Sequence, residues 1–480
     1  MELPKEIEKI IKKLEEEGFQ GYAVGGCVRD IVREMKPKDF DLTTNASPEQ
    51  IQKIFKKSYT NNDFGTVTLL IDSEEIRTVE ITPYRTEKGY KDKRHPDEVR
   101  WAESIEEDLQ RRDFTMNAMA LHYSGELIDP HKGREDIKKK LVRAVGNAEE
   151  RISEDALRMM RAVRFSSVLG FSLEEKTKKA IEKNAHYLQN ISEERIRDEF
   201  VKIVMSDKAM EGVEMLRETG LLGQFLPEIL EGYKVDQAKH HIYDCYEHSV
   251  KSLEYAAKKK FSMQVRMAAL LHDVGKPRVK MGEGEDATFH NHEVVGAKMT
   301  EKILRRLKFK KEDVKKITKL VRYHLFYYNV GEVSESSVRR LLRKVGKEDI
   351  EALLQVRMAD RIGSGVPKAE PYRLRHLRYL LEKVSLHPID VSMLAVKGDK
   401  VMEMTGASPG PFVGDILSVL LAEVISDPQK NTEEYLTEKV RELEKLSREE
   451  LREKAKEAKK EIESFETKRD EMTKKKYWVS

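Results

Sequence analysis

The chain has 480 residues, 36% of them charged and 39% hydrophobic, and its 89 basic and 86 acidic side chains leave a formal net charge of +3. That length exceeds what one core can serve and predicts roughly three or more domains at about 150 residues each. No run approaches the roughly 18 apolar residues of a membrane span, the start lacks a secretory apolar region, and Cys27 and Cys245 stand in unrelated settings, which excludes a disulfide framework or a zinc knuckle and leads us to expect a soluble, cytoplasmic protein.

The first 140 residues alternate between helical and strand periods, whereas almost everything after them reads helical. A helix is predicted over about 4–17, with Ile7, Ile10, Ile11 and Leu14 at helical spacing and a stop at Gly18. A strand at 21–24, a short helix at 28–34, a strand at 39–43 and a helix at 48–57 opened by Ser47-Pro48 follow. TVTLLID and EIRTVEITPYR read as paired strands, and RTEKGYKDKRHPDEVR (85–100) as a mobile loop. RRDFTMNAMALHY and GELIDP resume the sheet, with Gly125 in the turn. Beyond 147, helical segments run over 150–230, 240–385 and 388–430, and 432–473 is a highly charged helix with a thin stripe of Leu436, Val440, Leu443 and Leu446. That stripe favours packing on the chain's own body or a second copy over a nucleic-acid arm.

Residues two apart on a strand face one side, so Asp39 and Asp41 point together while Phe40 enters the core. Two carboxylates so held repel unless a divalent cation sits between them, and an all-oxygen ligand set suits Mg²⁺. Glu80, in the VEITPYR strand, offers a third carboxylate. Gly25-Gly26, between an apolar strand and a helix, lets backbone N–H groups approach a phosphate, and Arg29 reaches the same anion.

GGCVRD followed by DFD, RRDFTMNAMA at 111–120 and EDALRMMRAVRF at 154–165 resembles the class II tRNA nucleotidyltransferases and their poly(A) polymerase relatives, within the DNA polymerase beta-like nucleotidyltransferase superfamily. The resemblance covers about the first 200 residues. It implies an α+β chain: a nucleotidyltransferase head with a mixed five-stranded sheet over 1–145, an all-α neck over 146–235, a body over 236–385, a tail module over 386–431 and a charged helix over 432–480. It also implies stepwise addition of C, C and A to a tRNA 3′ end from CTP and ATP, with Asp39, Asp41 and Glu80 catalytic. Gly25, Gly26, Arg29 and Arg112 would hold the triphosphate and Asn117 the ribose. Asp155 and Arg158 would read the base edge, assisted by Arg161 and Arg164, which follow Arg158 at i+3 and i+6 on one helix flank. An aspartate accepts from the exocyclic amine of C and A, an arginine donates to a ring nitrogen or carbonyl, and G and U present the wrong pattern. Asp113 equally suits a structural hydrogen bond in its turn, and Glu194, Arg195 and Arg197 of ISEERIRDEF suit a brace between helices.

A second constellation lies in the body. His248, the His272-Asp273 pair of LLHDVGKP and Asp360 of RMADR resemble the HD-domain metal-dependent phosphohydrolases, with FHNHEVVGA at 289–297 and His324 as further ligand candidates. Mixed nitrogen and oxygen donors leave the divalent metal open among Mn²⁺, Fe, Ni²⁺, Co²⁺ and Mg²⁺. His240, His241, His290 and His292 also fit ordinary surface residues. By resemblance the substrates are 2′,3′-cyclic or terminal phosphates; a helical body without activity is the competing reading. VKGDKVMEMTGASPGPFVGDILSVLLAEV at 396–424 resembles a tail module of HD-bearing family members and suggests contact with the acceptor and T arms of tRNA. The near-neutral charge neither demands nor excludes that partner, because local basic patches bind nucleic acid. The motifs also fit a CC-adding or A-adding enzyme, a poly(A) polymerase or, in another class, an RNA-binding HD protein with an inactive head.

Overall fold

The structure, a computed structural model, describes residues 1–60, 65–88, 98–237, 242–385 and 391–479. Its first helix, α1 (Lys5–Glu16), buries Ile7, Ile10, Ile11 and Leu14 on one stripe. Then come β1 (Gly21–Val24), α2 (Gly26–Val32), β2 (Asp41–Thr44), α3 (Pro48–Ile54), β3 (Ser58–Thr60), β4 (Val67–Leu70) and β5 (Thr78–Pro83). A capping box between Ser47 and Gln50 starts α3. Along β5 the side chains alternate, with Val79 and Ile81 buried and Thr78 and Glu80 exposed, so one face joins the core and the other meets solvent. Each fully buried aliphatic side chain of this core contributes about 1.5–3 kcal/mol.

The sheet has seven strands in the order β3-β4-β5-β2-β1-β8-β9, where β8 is Ala120–Leu121 and β9 is Leu127–Ile128. It is mixed, as expected: β2 and β5 run parallel and the other neighbours antiparallel. The count of five that the resemblance implies is therefore corrected to seven; the strands expected at RRDFTMNAMALHY and GELIDP are present as β8 and β9, and the three-residue edge strand β3 is too short to show a period in sequence. The stretch 85–100 is also corrected. Its ends form β6 (Arg85–Lys88) and β7 (Glu98–Trp101), paired antiparallel with Arg85 opposite Trp101, while 89–97 lie outside the described residues. Backbone pairing needs no apolar alternation, so a charged hairpin leaves little trace in composition.

After α4 (Ile105–Gln110) and α5 (Gly133–Lys139) the chain is helical apart from a parallel two-residue pair, β10 (Leu141–Val142) with β11 (Ser172–Leu173): α6 (Ala148–Glu154), α7 (Leu157–Leu169), α8 (Glu175–Asn184), α9 (Glu193–Val204), α10 (Ala209–Glu218), and the short turns α11 (Leu222–Phe225) and α12 (Pro227–Leu230). Next are α13 (Cys245–Lys258), α14 (Met263–Leu271), α15 (Lys276–Val279), α16 (His292–Arg306), α17 (Lys311–Tyr323), α18 (Glu335–Val345) and α19 (Ile350–Gly363). The chain ends with α20 (Tyr372–Ser385), α21 (Gly398–Thr405), α22 (Pro411–Ser426), α23 (Glu433–Glu444) and α24 (Arg448–Tyr477).

Two compact units result. The first comprises Met1–Leu325 and Glu351–Pro367, the second Phe326–Ile350 and Lys368–Ser480. Within the first, α7 packs on α9, α13 on α14, and α16 on α17, while Ala256, Ala269 and Ala359 let α13, α14 and α19 approach closely. In the second, α22 and α24 pack together and α20 joins α18 and α24. Residues 326–350 and 368–385, expected within the body, thus group with the C-terminal helices. The charged helix α24 buries Leu451, Ala455 and Ala458 in a core containing Ile416, Leu420, Leu436 and Val440, and Tyr379 donates to Asp470 at 2.6 Å. Among the described residues no helix is long and apolar enough to cross a membrane.

Candidate functional site

In the head, β2 opens at Asp41, which stands opposite Val24 of β1 and opposite Glu80 of β5. The Glu80 amide donates to the Phe40 carbonyl at 3.4 Å. Asp39 lies in the bend before β2 and is exposed, which corrects the expected strand at 39–43. The reason is next door: β1 ends at Val24 because Gly25 turns the chain with φ +75°, leaving nothing for residue 39 to pair with on that side. Only glycine adopts that conformation cheaply. A Cβ on Gly25 would stand 3.2 Å from Arg112 Nη1 and 3.9 Å from Asp41 Oδ2, so this turn, the guanidinium and the carboxylate meet at one point.

Although the surface of Asp41 is open to solvent, the protein around the carboxyl is dense. Burial pushes it up to about 6, the charges of Asp39 and Glu80 push the same way, and Arg112 opposes them. Crowded oxygen donors of this kind fit Mg²⁺. They are more widely spaced than a closed ligand set. Among the described residues, the groups of three or more donors lying within 4.8 Å of one another are both in the helical body. Arg112 is held from behind by Asp108, whose buried carboxylate accepts from Arg112 Nη2 at 3.0 Å and from Arg111 Nη2 at 2.7 Å. Asp108, hidden in a helix of acidic residues, was not singled out from the sequence.

A polar chain runs from the head into the neck. Arg29 Nη1 donates to Asn117 Oδ1 at 3.0 Å, and Arg29 Nε to Asp30 at 3.0 Å. Asn117 Nδ2 donates to Asp113 Oδ1 at 3.2 Å, and Arg161 grips Asp113 Oδ2 with Nε at 2.8 Å and Nη2 at 2.6 Å. Burial would raise the Asp113 carboxyl, but Arg161, helped by Asn117, holds it at about 2. Asp113 also accepts from the Phe114 amide at 2.8 Å, so it serves both its own turn and the neck. The guanidinium of Arg164 lies 3.9 Å from the Phe165 ring centre, with Arg29 and Arg161 at 5.4 and 5.5 Å. Phe165 passes for plain core in sequence, yet its ring organises three of the predicted arginines.

The remaining two predicted base readers sit apart in their contacts. Asp155 separates α6 from α7 with extended backbone, accepts from the Leu157 amide at 3.0 Å and faces Arg195 at 4.0 Å. Arg158 is only 7% exposed. Its Nη1 donates to Glu154 at 2.5 Å and to the Arg151 carbonyl at 2.7 Å, and its Nη2 to the Arg111 carbonyl at 3.1 Å. Arg158, placed on one flank with Arg161 and Arg164 by helical spacing, does not share their contacts: α7 starts only at Leu157, and Arg158 turns inward to the Arg151 carbonyl, left free where α6 breaks, and to the Arg111 carbonyl at the end of α4. Arg197 reaches the Lys308 carbonyl, as a brace would.

In the body, the four expected residues converge with two more. His248 Nε2 lies 2.8 Å from His272 Nε2, 3.1 Å from Asp273 Oδ2 and 3.3 Å from Asp360 Oδ1. His272 Nε2 is 3.2 Å from Asp273 Oδ2. On the other side of the same carboxylate, Asp273 Oδ1 faces His292 Nε2 at 3.3 Å and His324 Nε2 at 3.6 Å. His292 is therefore buried rather than a surface residue. His290 is exposed, and His240 and His241 lie outside the described residues. Gly275 makes the closure possible, since a Cβ there would come within 2.5 Å of the His292 carbonyl and the Gly296 amide. Lys276 Nζ contacts Asp273 Oδ2 at 2.6 Å and Arg357 Nη1 contacts Asp360 Oδ2 at 2.6 Å. Burial pulls the His272 imidazole down, but the Asp273 and Asp360 carboxylates push it up to about 10. The pocket attracts cations, and its nitrogen and oxygen donors fit a divalent transition metal.

Family models match three stretches of the chain: the Poly A polymerase head domain at 21–143, the probable RNA and SrmB-binding site of polymerase A at 170–232, and the HD domain at 245–364. The CCA-adding enzyme of Lactobacillus delbrueckii subsp. bulgaricus is 49% identical over 213 residues, 44% of this chain and 53% of that one. The chain thus spans about half the length of the relatives matched at this level. The CCA-adding enzyme of Limosilactobacillus reuteri is 32% identical over 437 residues, 91% of this chain and 96% of that one. The crystal structure of the Bacillus stearothermophilus CCA-adding enzyme in complex with CTP superposes with a TM-score of 0.60 at 29% identity, covering 95% of this chain and 100% of that one.

Proposed function

The chain belongs to the CCA-adding enzyme family, and from that premise we propose that it adds C, C and A in turn to the 3′ end of tRNA, taking CTP and ATP, using no nucleic-acid template and releasing pyrophosphate. The observation that carries the reading is the register of Asp41 with Glu80, set beside Gly25 and Arg112. Asp39 and Asp41, with Glu80, hold Mg²⁺. Bound there, the metal supplies activation of the attacking hydroxyl and charge neutralisation of the leaving pyrophosphate. The amides of the Gly25-Gly26 turn and the guanidinium of Arg112 orient the triphosphate. Arg29, tied to Asn117, fixes the sugar and phosphate side of the nucleotide. The 3′ hydroxyl of tRNA then attacks the α-phosphate in line, and positioning does most of the work.

Asp155 selects the base by accepting from the exocyclic amine that C and A share, and Arg158 joins it by exchanging Glu154 for the base edge. Arg161 and Arg164, stacked around Phe165, hold the helix that presents them. The tail module binds the acceptor and T arms of tRNA. The test is extension of three transcripts, ending at the discriminator base, after one added C and after CC, with each nucleoside triphosphate. Addition of CCA and nothing further supports the reading. Arrest at CC, addition of A alone or long A tails would replace the specificity and keep the chemistry; no incorporation would refute it.

A second activity is favoured by the convergence of His248, His272, Asp273 and Asp360: metal-dependent hydrolysis of 2′,3′-cyclic or terminal phosphates, which would restore the 3′ hydroxyl that the head uses. Phosphate release from RNA ending in a 2′,3′-cyclic phosphate, with Mn²⁺ or Ni²⁺, tests it. Activity surviving loss of both His272 and Asp273 would refute this assignment.

A further inference from the structure

Phe165, on α7, lies against residues of both the head and the neck. Its side chain is buried, and the centre of its ring is 3.9 Å from the Arg164 guanidinium, 5.4 Å from that of Arg29 and 5.5 Å from that of Arg161. The buried ring of Phe114 meets it edge to face at 5.7 Å. An aromatic face is electron-rich and attracts a guanidinium within about 6 Å of its centre, more strongly where water is excluded.

Three guanidinium groups gathered in this way repel one another, and each has an anion of its own. Arg161 is gripped by Asp113, Arg164 Nε lies 2.7 Å from Glu199 Oε2, and Arg29 Nε donates to Asp30 at 3.0 Å. Burial presses the Arg164 guanidinium below its ordinary value; Glu199 opposes this, and the charges of Arg161 and Arg29 add to it. The three carboxylates stand on different elements, Asp30 on α2, Asp113 beyond the end of α4 and Glu199 on α9. They hold the arginines one by one, whereas the ring is a contact that all three share. Burial alone does not call for an aromatic residue, since an aliphatic side chain of suitable volume also fills a core. What it lacks is the π face.

With the nucleotide bound as proposed, Arg29 lies on its sugar and phosphate side and α7 carries the groups at its base. A nucleotide has a fixed length, so both ends are gripped correctly only if Arg29 and α7 keep a fixed spacing. A displacement of about 1 Å at a reacting group can cost about 100-fold in rate. We propose that Phe165 is a positioning residue for nucleotide selection: its ring face ties Arg29 of the head to Arg161 and Arg164 of the neck and so fixes the spacing between the triphosphate grip and the base-reading helix. The inference rests on the nucleotidyltransferase reading of the head and adds to it a side chain with no hydrogen-bonding group of its own.

The test separates the π face from the space it fills. In the full chain Phe165 is replaced by leucine and, separately, by mono-, di- and trifluorinated phenylalanine, which keep the outline of the ring while withdrawing electron density from its face. Incorporation of CTP and ATP, and of UTP and GTP as wrong nucleotides, is measured on tRNA transcripts with Mg²⁺, and melting temperature controls for folding. Along the fluorinated series kcat/KM for CTP and ATP should fall stepwise, by about 10-fold or more at its end. KM should rise by more than kcat falls, the preference over UTP and GTP should shrink in the same order, and the melting temperature should stay with the parent's. Phe165→Leu should lose at least as much activity as the trifluorinated protein. A flat fluorinated series, even beside a weakened leucine variant, would reduce Phe165 to core filling and overturn the inference. Absence of incorporation by the unsubstituted protein would overturn the reading beneath it, and the inference with it.

Discussion

Replacing Asp113 by asparagine keeps the shape of the side chain and removes the charge that ties the RRDFTMNA turn to α7. Asp113 is 9% exposed, and its Oδ2 accepts from Arg161 Nε at 2.8 Å and Nη2 at 2.6 Å. Its carboxyl sits at about 2 against an ordinary 3.8 because Arg161 and Asn117 outweigh its burial. At about 1.4 kcal/mol per unit, slightly under two units correspond to about 2 kcal/mol of stability that the amide does not supply. The sign follows from the direction of the shift. A carboxyl whose folded value lies below its unfolded one stabilises fully above about pH 4, and that contribution is lost as pH falls through about 2. Hydrogen exchange resolved by segment is the assay, since a chain of two compact units does not unfold in a single step. At pH 7 the amides of α7 and of residues 113–121 should exchange about 30-fold faster in the variant, the equivalent of about 2 kcal/mol, with α16 and α17 unchanged. The difference in protection of these amides between the two proteins should close between pH 4 and pH 2. Equal protection at pH 7, or an undiminished difference at pH 2, would refute the argument that the ion pair carries this junction.

Asp41→Ala should abolish nucleotide incorporation with a circular dichroism spectrum and melting temperature close to the parent's; retained transfer would sink its assignment as a metal ligand. Gly25→Ala places a methyl 3.2 Å from Arg112 Nη1 on a backbone at φ +75°, so a loss of about 1 kcal/mol or more in stability should accompany a higher KM for both nucleotides, read from initial rates. Asp155→Asn exchanges an acceptor for a donor at the base edge and should lower kcat/KM for CTP and ATP together, by about 10-fold or more; a loss confined to one nucleotide would contradict a shared amine contact. Leu436→Ala, at a site with no exposed surface, should cost about 2–5 kcal/mol and show as faster proteolysis within 391–479.

What the sequence disclosed, and what it hid, follows the range of the interactions involved. The strand periods around Asp41 and Glu80 were legible because alternation is local, and the parallel pairing of β2 with β5 places the two residues side by side. Asp39 was misplaced by two residues because the end of β2 is set by its neighbour, through the turn at Gly25. Arg158 was grouped with Arg161 and Arg164 because helical spacing alone put it on their flank, and the break at Asp155 that turns it inward is a cap, not a period. Phe165 with Arg29 and Asp113 with Arg161 join residues 136 and 48 positions apart, separations at which composition carries no signal, while Asp108 holds Arg111 and Arg112 one helical turn away, a spacing that any solvated charged helix also shows. The body shows the same limit in its sharpest form. The adjacent His272 and Asp273 announce themselves, and FHNHEVVGA and His324 stand out as further ligand candidates, but only the fold, through α16 and the end of α17, selects His292 over the exposed His290 and sets it with His324 at the far oxygen of one carboxylate. A short motif can reveal that a metal ligand is present. Which further side chains face that ligand is set by what the fold places on its other side.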